Sequence, residues 1–92
     1  MENIVKHDKE NHKFYLELEG KEAHLFYRIV DDNTLEFYHT FVPYEQRGGG
    51  VAAKVVEEGF KFAKEKGYKV IPSCSYVEFY IRRHKELEEL RA

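Results

Sequence analysis

The chain has 92 residues, of which 42% are hydrophobic and 15% aromatic, so it suits a single folded domain over residues 1–92 and is too apolar to be disordered. A net charge of −2 argues against nucleic-acid partners, and no apolar run approaches the roughly 20 residues of a membrane span. The polar start of the chain is unlike a signal peptide, and the single cysteine suits a reducing compartment, so we expect a cytoplasmic protein.

The first half of the chain predicts a meander of antiparallel strands. Apolar and polar residues alternate over residues 4–7, 13–18, 23–30 and 35–41, which is the period of a strand with one buried face. Segments rich in Asp, Asn or Gly separate these strands, as tight turns require.

The fourth strand contains a histidine among apolar residues. His39 is in phase with Leu35, Phe37 and Phe41, which predicts that its ring shares their apolar face. A histidine in such a position is more often a satisfied packing group than a functional one. The alternative is that His39 acts as a catalytic base near the end of the strand, or positions one.

The second half of the chain predicts a helix, a strand and a helix. From about Gly50 the apolar residues follow helical spacing, and Gly67 is a typical helix stop. Residues 68–71 form a short strand, and a second helix begins near Ser75. The apolar residues assigned to this helix are Tyr76, Phe79, Tyr80 and Leu87. The charged residues 85–91 are expected to form a solvated helical end or to be frayed.

These elements predict an α+β fold with a mixed, mostly antiparallel sheet, one parallel strand junction and two helices. A strand–helix–strand crossover makes the fifth strand parallel to the fourth, with a right-handed connection. Ligands in open α/β sheets bind at the carboxyl ends of such strands. We therefore expect a binding site where the fourth and fifth strands end.

The segment Arg47-Gly48-Gly49-Gly50-Val51-Ala52 lies at that position. A glycine turn that opens a helix leaves backbone N–H groups unpaired at the positive end of the helix dipole, and glycine lets a phosphate approach closely. Arg47 adds a positive charge. The spacing alone is equally compatible with an ordinary tight turn, and it matches neither the dinucleotide-binding G-x-G-x-x-G pattern nor the P-loop.

This segment resembles the Q/R-x-x-G-x-G/A loop of the GNAT superfamily of acetyl-CoA-dependent N-acetyltransferases, with Arg47 in the first position. Three segments are similar to the very small, single-domain branch of that superfamily. They are His39-Thr40-Phe41-Val42-Pro43, the Arg-Gly-x-Gly helix start, and Pro72-Ser73-Cys74-Ser75-Tyr76. The resemblance implies a minimal N-acetyltransferase-like domain over the whole chain, with acetyl-CoA as cosubstrate and an amine as acceptor.

The resemblance also implies where coenzyme A would lie. The pyrophosphate would bind the loop N–H groups of Gly48, Gly49, Gly50, Val51 and Ala52, next to Arg47. The strand end at Phe41 and Val42 would pair with the pantetheine, in the splay between the two parallel strands. Arg83 could reach a phosphate of coenzyme A, although a solvated helix face explains this residue equally well.

Three residues are candidates for catalysis. Cys74 precedes the second helix, whose dipole would lower the pKa of the thiol, and the resemblance places it beside the acetyl group. An acyl-cysteine intermediate and direct transfer with Cys74 lining the site both stay open, as does a simple packing role. Tyr80 would protonate the departing CoA thiolate or pack in the core, and His39 is the third candidate.

The sequence leaves two functions open: an acyltransferase for an amine acceptor, and a non-catalytic acetyl-CoA-binding module for sensing or protein docking. It does not identify the acceptor as a small molecule or a protein. The acceptor side would be open, completed by a homodimer partner, or shaped for a large substrate. The other four histidines lack close metal-ligand spacing, so no metal site is expected.

Overall fold

Five strands in sequential order form one sheet in the computed structural model, which describes residues 4–92. The strands are β1 (Lys6–Asp8), β2 (Lys13–Leu18), β3 (Lys21–Asp31), β4 (Thr34–Phe41) and β5 (Lys69–Pro72). Neighbours from β1 to β4 are antiparallel and β5 is parallel to β4, so the predicted mixed sheet with one parallel junction is confirmed. Residues 1–3 of the polar start lie outside the described residues.

The two α-helices lie in the second half of the chain, as the sequence predicts. They are α1 (Val51–Lys66) and α2 (Ser75–Arg83), and two 3₁₀ helices at Tyr44–Gln46 and Lys85–Leu90 accompany them. Gly50 before α1 and Gly67 after it have φ values of +77° and +78°, a left-handed conformation that glycine adopts without steric cost. Within residues 4–92, none of these helices has the length and apolar character needed to cross a membrane.

Both α-helices pack on the same face of the sheet and share one hydrophobic core with it. The fully buried side chains with the largest volumes are Phe14, Phe37, Leu16, Leu25, Leu35 and Ile81. Helix α1 approaches the sheet at Gly59, where a Cβ atom would lie 2.8 Å from Cδ2 of Leu25. The other face of the sheet, here called the open face, carries the outward side chains of the strands, and none of these is buried.

A β-bulge in β4 reverses the phase of its last residues. The register with β3 shifts between Phe37 and His39, so that Tyr38 is an extra residue in the strand. Phe37 is fully buried, whereas His39 and Phe41 are exposed on the open face. The prediction that His39 shares the apolar face of Phe37 is therefore wrong, because one inserted residue moves every later side chain to the opposite face.

The C-terminal segment is a 3₁₀ helix (Lys85–Leu90) whose charged residues are exposed, as expected for a solvated helical end, while its two leucines pack against the core. Helix α2 ends at Arg83, and Leu87 lies in the following 3₁₀ helix, packed against the core, so its assignment to the second helix is wrong. Arg91 forms an ion pair with Glu78, with 2.7 Å between Nη1 and Oε1. These contacts are long-range, which is why local charge patterning did not indicate them.

Candidate active site

The ends of β4 and β5 bring the helix N-termini to one edge of the sheet. Strand β4 leads into residues 47–50, here called the glycine loop, and β5 leads into Cys74 at the start of α2. The β2–β3 hairpin reaches the same edge, because Nε2 of Gln46 donates to the carbonyl of Leu18 at 2.7 Å. This is the edge at which the crossover topology predicts a ligand.

Strands β4 and β5 separate at this edge and leave a slot between them. Their last paired residues are Phe37 and Pro72, whereas β4 continues to Phe41. The N–H groups of Ser73 and Cys74 both donate to the carbonyl of Phe37, at 3.1 and 3.2 Å, as the chain turns away into α2. Among the described residues, positions 38–41 of β4 therefore have no strand partner on the β5 side, and Cys74 contacts this stretch through Thr40.

The glycine loop leaves a series of N–H groups unpaired at the start of α1. The first helical hydrogen bond of α1 is donated by the N–H of Lys54 to the carbonyl of Gly50, at 3.2 Å. The N–H groups of residues 48–53 have no protein acceptor in the described part of the chain. Gly48 and Gly50 have φ values of +88° and +77°, which favours glycine at both positions. Unpaired donors at the positive end of a helix dipole form an anion site.

A cavity of about 270 Å³ lies beside the glycine loop. Its lining includes six residues that the sequence assigns to cofactor binding: Val42, Arg47, Gly48, Gly50, Val51 and Ala52. Gln46, Ala53 and Tyr76 also line it and were not selected from the sequence. Oε1 of Gln46 is buried without a hydrogen-bond partner among the described residues, so the cavity wall carries an unused acceptor.

The other predicted cofactor-binding residues lie near this cavity or apart from it. Gly49 sits inside the loop, and Phe41 is 41% exposed at the end of β4. Arg83 is exposed at the end of α2, with its guanidinium 5.3 Å from the ring of Phe79. The cavity lining therefore does not include Arg83, and the solvated-face interpretation describes its position.

Arg47 spans the mouth of the site. Its Nε donates to the carbonyl of Val42 at 3.2 Å, and its guanidinium lies 5.8 Å from the exposed ring of Tyr44. The sequence resemblance assigns the strand end at Val42 to pairing with the pantetheine. In the structure the carbonyl of Val42 already accepts a hydrogen bond from the Arg47 side chain.

Cys74 lies at the N-terminus of α2 with a hydroxyl beside its sulfur. Oγ1 of Thr40 is 3.5 Å from Sγ of Cys74. Burial alone would raise the pKa of the thiol, but the Thr40 hydroxyl and the nearby N–H groups of Val77 and Tyr76 outweigh it and hold the pKa below its usual value. The half-buried sulfur is therefore poised to ionise more readily than an ordinary cysteine.

Thr40 is a site residue that sequence reasoning missed. It pairs with Leu25, which is buried, so the bulge turns Thr40 toward the helices and His39 away from them. The alternating pattern gave no reason to select Thr40, because the extra residue that orients it has no signature in the sequence.

Tyr80, the candidate proton donor, and Tyr76 line different cavities, although both lie in α2. Tyr80 is 8% exposed, stacks on His84 at 4.1 Å between ring centroids, and lines a separate cavity of about 260 Å³. Burial, followed by the charge of Glu57, raises the pKa of its hydroxyl. Tyr76 is the ring that lines the cavity beside the glycine loop. The role of Tyr80 as a proton donor stays a prediction.

His39 belongs to a group of rings on the open face. Its centroid lies 5.7 Å from those of His24 and Phe26, and His24 lies 5.6 Å from Phe41. We call these four residues the imidazole cluster. Within residues 4–92, no three His, Cys, Asp or Glu side chains are grouped so as to hold a metal ion.

A mixed sheet that opens between parallel neighbours, with a glycine loop starting the helix beside the opening, defines the GNAT fold class. The sequence profile of the GCN5-related N-acetyl-transferase family matches residues 13–90, and the chain belongs to this family. The family membership that the sequence motifs imply is thereby confirmed, and it supports acetyl transfer as the activity.

Similar proteins are known from animals and bacteria. The chain is 30% identical to protein NATD1 of Xenopus tropicalis over 82 residues, which cover 87% of this chain and 75% of that protein. Protein NATD1 of Homo sapiens is 29% identical, with coverage of 87% and 73%. A GCN5-like protein from Staphylococcus aureus, solved by NMR, superposes with a TM-score of 0.77 at 29% identity, covering 100% of this chain and 91% of that one.

Proposed function

We propose that the protein transfers the acetyl group of acetyl-CoA to an amine. The observation that carries the proposal is the meeting, at one edge of the sheet, of the unpaired N–H groups of residues 48–53 and the sulfur of Cys74. The unpaired N–H groups would bind the diphosphate of coenzyme A, and the sulfur of Cys74 would lie at the thioester end. Membership of an acetyltransferase family supports the same assignment.

The residues present fit coenzyme A. Backbone donors at the start of α1 would hold the pyrophosphate, and the edge of β4 at residues 38–41, which has no strand partner on the β5 side, would pair with the pantetheine. Oε1 of Gln46, an unused acceptor in the cavity wall, would accept an amide N–H. When acetyl-CoA is bound, it supplies an activated acyl group as a thioester.

Arg47 would exchange partners on binding. In the structure its Nε donates to the carbonyl of Val42. A move toward a phosphate would leave that carbonyl free for the pantetheine and bring a guanidinium to an anion that it binds well. One side chain thereby links recognition of the two parts of the cosubstrate.

Cys74 is the residue that we assign to the acetyl group. Its lowered pKa favours the thiolate, which would attack the thioester carbonyl carbon, form acetyl-Cys74 and release the CoA thiolate. Direct attack by the acceptor amine, with Cys74 lining the site, is the other route. Tyr80 is the candidate donor of a proton to the departing CoA thiolate, and its ring lies 6.4 Å from that of Tyr76.

A module that binds acetyl-CoA without transfer would use the same residues. The exposed rings of His39 and Phe41 favour this second candidate, since they leave the acceptor side of the slot uncovered. Calorimetry with acetyl-CoA tests the binding that both functions share, and absence of binding at millimolar concentration would reject both.

A matched pair of glycine variants tests the binding site. Gly50 and Gly67 flank α1 with nearly equal φ, and a Cβ atom at either position would meet no atom within 4 Å. Gly50→Val and Gly67→Val should therefore lose similar stability. Only Gly50→Val should lose acetyl-CoA affinity, by about 100-fold if two charged hydrogen bonds are lost. Equal affinity in the two variants would reject the pyrophosphate assignment.

Intact-mass spectrometry separates the two chemical routes. After incubation with acetyl-CoA, an acetyl adduct that disappears in Cys74→Ala identifies the covalent route. Transfer to amines without an adduct, retained in Cys74→Ala, identifies direct transfer. Binding of acetyl-CoA with neither adduct nor transfer to a panel of amines would establish the binding module.

A further inference from the structure

Three polar side chains are linked across β2 and β3 on the open face. Nδ1 of His24 lies 2.9 Å from Oε2 of Glu22, and both carboxylate oxygens of Glu22 accept from Nζ of Lys13, at 3.0 and 2.9 Å. The side chains are only 17% to 28% exposed. Lys13 therefore holds the carboxylate in place, and the carboxylate holds the imidazole.

This arrangement fixes the chemical state of the His24 ring. An ionised carboxylate only accepts hydrogen bonds, so Nδ1 of His24 is protonated and donates a hydrogen bond to Oε2 of Glu22. In the neutral ring the lone pair is then on Nε2. Stacking on Phe26, with 4.2 Å between centroids, keeps the ring in its orientation. Burial lowers the pKa of His24 and outweighs the opposing effect of Glu22, so Nε2 is available as a base near neutral pH.

His24 lies at the sheet edge that carries the candidate active site. It pairs directly with Phe41 of β4, and the preceding residue, Thr40, contacts Cys74. The helix-facing side of the sheet at this edge is filled by α1, α2 and the glycine loop, whereas the open face is uncovered. An acceptor that reaches the slot from the open face would meet the imidazole cluster first.

We infer that the Glu22–His24 pair is the general base of acetyl transfer, with Nε2 of His24 taking a proton from the acceptor ammonium directly or through one water. This inference rests on the proposed function. An alkylammonium group with a pKa of about 10.4 is only about 0.04% neutral at pH 7, so transfer to it requires a base. The flat rings of Phe26, His39 and Phe41 favour an alkylamine carried on an aromatic or apolar body.

The proton and electron balance of the step is complete. His24 takes one proton from the ammonium, and the freed nitrogen lone pair forms the new bond to the acetyl carbonyl carbon. The carbon–sulfur bond of the thioester breaks, the new amide nitrogen loses a second proton, and the departing thiolate takes up this proton directly or through the hydroxyl of Tyr80. The imidazolium of His24 then returns its proton to solvent.

Two probe amines separate a base from a structural group. Benzylamine is an alkylammonium at pH 7, whereas aniline is already neutral and does not need a base. His24→Asn keeps a donor for Glu22 but lacks Nε2. We expect this variant to lose at least about 100-fold in turnover with benzylamine and less than about threefold with aniline. Acetyl-CoA affinity, measured by calorimetry, should be unchanged.

A second variant examines the carboxylate. Glu17 lies opposite Glu22 on the same face, so Glu17→Gln is the matched control for Glu22→Gln. The charged or titratable groups that face His24 are Lys13, Tyr15, Glu22 and His39. Because Glu22 raises the pKa of His24, Glu22→Gln should move the acidic limb of the benzylamine rate profile to lower pH, and Glu17→Gln should not move it.

Each other outcome overturns a defined part of the argument. Equal losses with both amines in His24→Asn, or an unchanged benzylamine rate, would reject His24 as the base while leaving acetyl transfer intact. Wild-type protein that binds acetyl-CoA but acetylates neither probe nor any other amine in the panel would reject the transferase proposal together with the base.

Discussion

Helices α1 and α2 both begin at the active-site edge of the sheet, but they use their N-terminal donors differently. The residue before α1 is Gly50, in a left-handed conformation with no side chain, and the N–H groups of residues 48–53 stay unpaired among the described residues. The residue before α2 is Cys74, in an extended conformation, and its sulfur lies near the N–H groups of Tyr76 and Val77.

The difference shows how one physical feature supports two tasks. Unpaired N–H groups and a helix dipole favour a negative charge at either helix start. Without a side chain at Gly50, the charge must come from a ligand. With a thiol at position 74, the charge can come from the chain itself as a thiolate. Variants that exchange or remove these features should therefore affect binding at α1 and reactivity at α2.

The largest effect on acetyl-CoA affinity is expected when a negatively charged side chain is placed at the start of α1. Gly49 does not have a positive φ, so an aspartate can replace it without that strain. In Gly49→Asp the carboxylate would compete with the diphosphate for the same donors, and acetyl-CoA affinity should fall by more than about 100-fold. Gly49→Asn is the neutral control of equal size. Calorimetry at two salt concentrations measures both, and similar losses in the two variants would contradict a charge effect.

A change in β4 beside the start of α2 should act on the reactivity of Cys74. Thr40→Val removes the hydroxyl beside Sγ of Cys74, so the pKa of the thiol should rise. Alkylation by iodoacetamide at pH 7 should slow by roughly threefold to tenfold, since the thiolate is the reactive form. Thr40→Ser keeps the hydroxyl and should react like the wild type. An unchanged rate in Thr40→Val would show that the helix N–H groups alone ionise the sulfur.

The tyrosines of α2 provide the next contrast. Tyr76 lines the cavity beside the glycine loop, whereas Tyr80 packs in a separate cavity against His84. Tyr76→Ala should weaken acetyl-CoA binding by about tenfold, because a buried ring contact is lost. Tyr80→Phe should leave the affinity unchanged and lower turnover if Tyr80 protonates the CoA thiolate. If Tyr80→Phe weakened acetyl-CoA binding and Tyr76→Ala left it unchanged, these two assignments would be reversed.

The smallest effect is expected at the ion pairs that join Glu78, in the first turn of α2, to Arg82 and to Arg91 of the C-terminal segment. Hydrogen bonds from Arg91 and Arg82 hold the pKa of Glu78 at about 2. A carboxyl group with a lowered pKa stabilises the fold fully above its unfolded value near 4.5 and loses that contribution as the pH falls through 2. Glu78→Gln should slightly lower the melting temperature at pH 7.

The pH dependence of that difference identifies its origin. The melting temperatures of wild type and Glu78→Gln, followed by circular dichroism, should converge as the pH falls from about 4.5 toward 2. Glu89→Gln, at an exposed position in the following 3₁₀ helix, is the control. A difference that persists at low pH would mean that the glutamine disturbs packing rather than removing a charge.

Local sequence rules predicted the elements and the glycine loop, because strand period, helix period and glycine stops depend on neighbouring residues. The parallel junction followed from the crossover rule. What local rules missed depends on long-range pairing. Tyr38 enters β4 as an unpaired extra residue, and only the register with β3 shows that His39 therefore leaves the core face. The partners of Arg91 and the Lys13–Glu22–His24 link likewise join separate segments.

The bulge at Tyr38 makes this strand intolerant of a change in length. Deleting Tyr38 would restore a regular alternation, which would turn Phe41 and His39 toward the helices and Thr40 away from Cys74. A one-residue deletion would thus exchange the contents of the two faces, while most substitutions at the same position would change only one side chain. Relatives that keep the function should therefore conserve the number of residues between Phe37 and Thr40 more strictly than the identity of the residue at position 38.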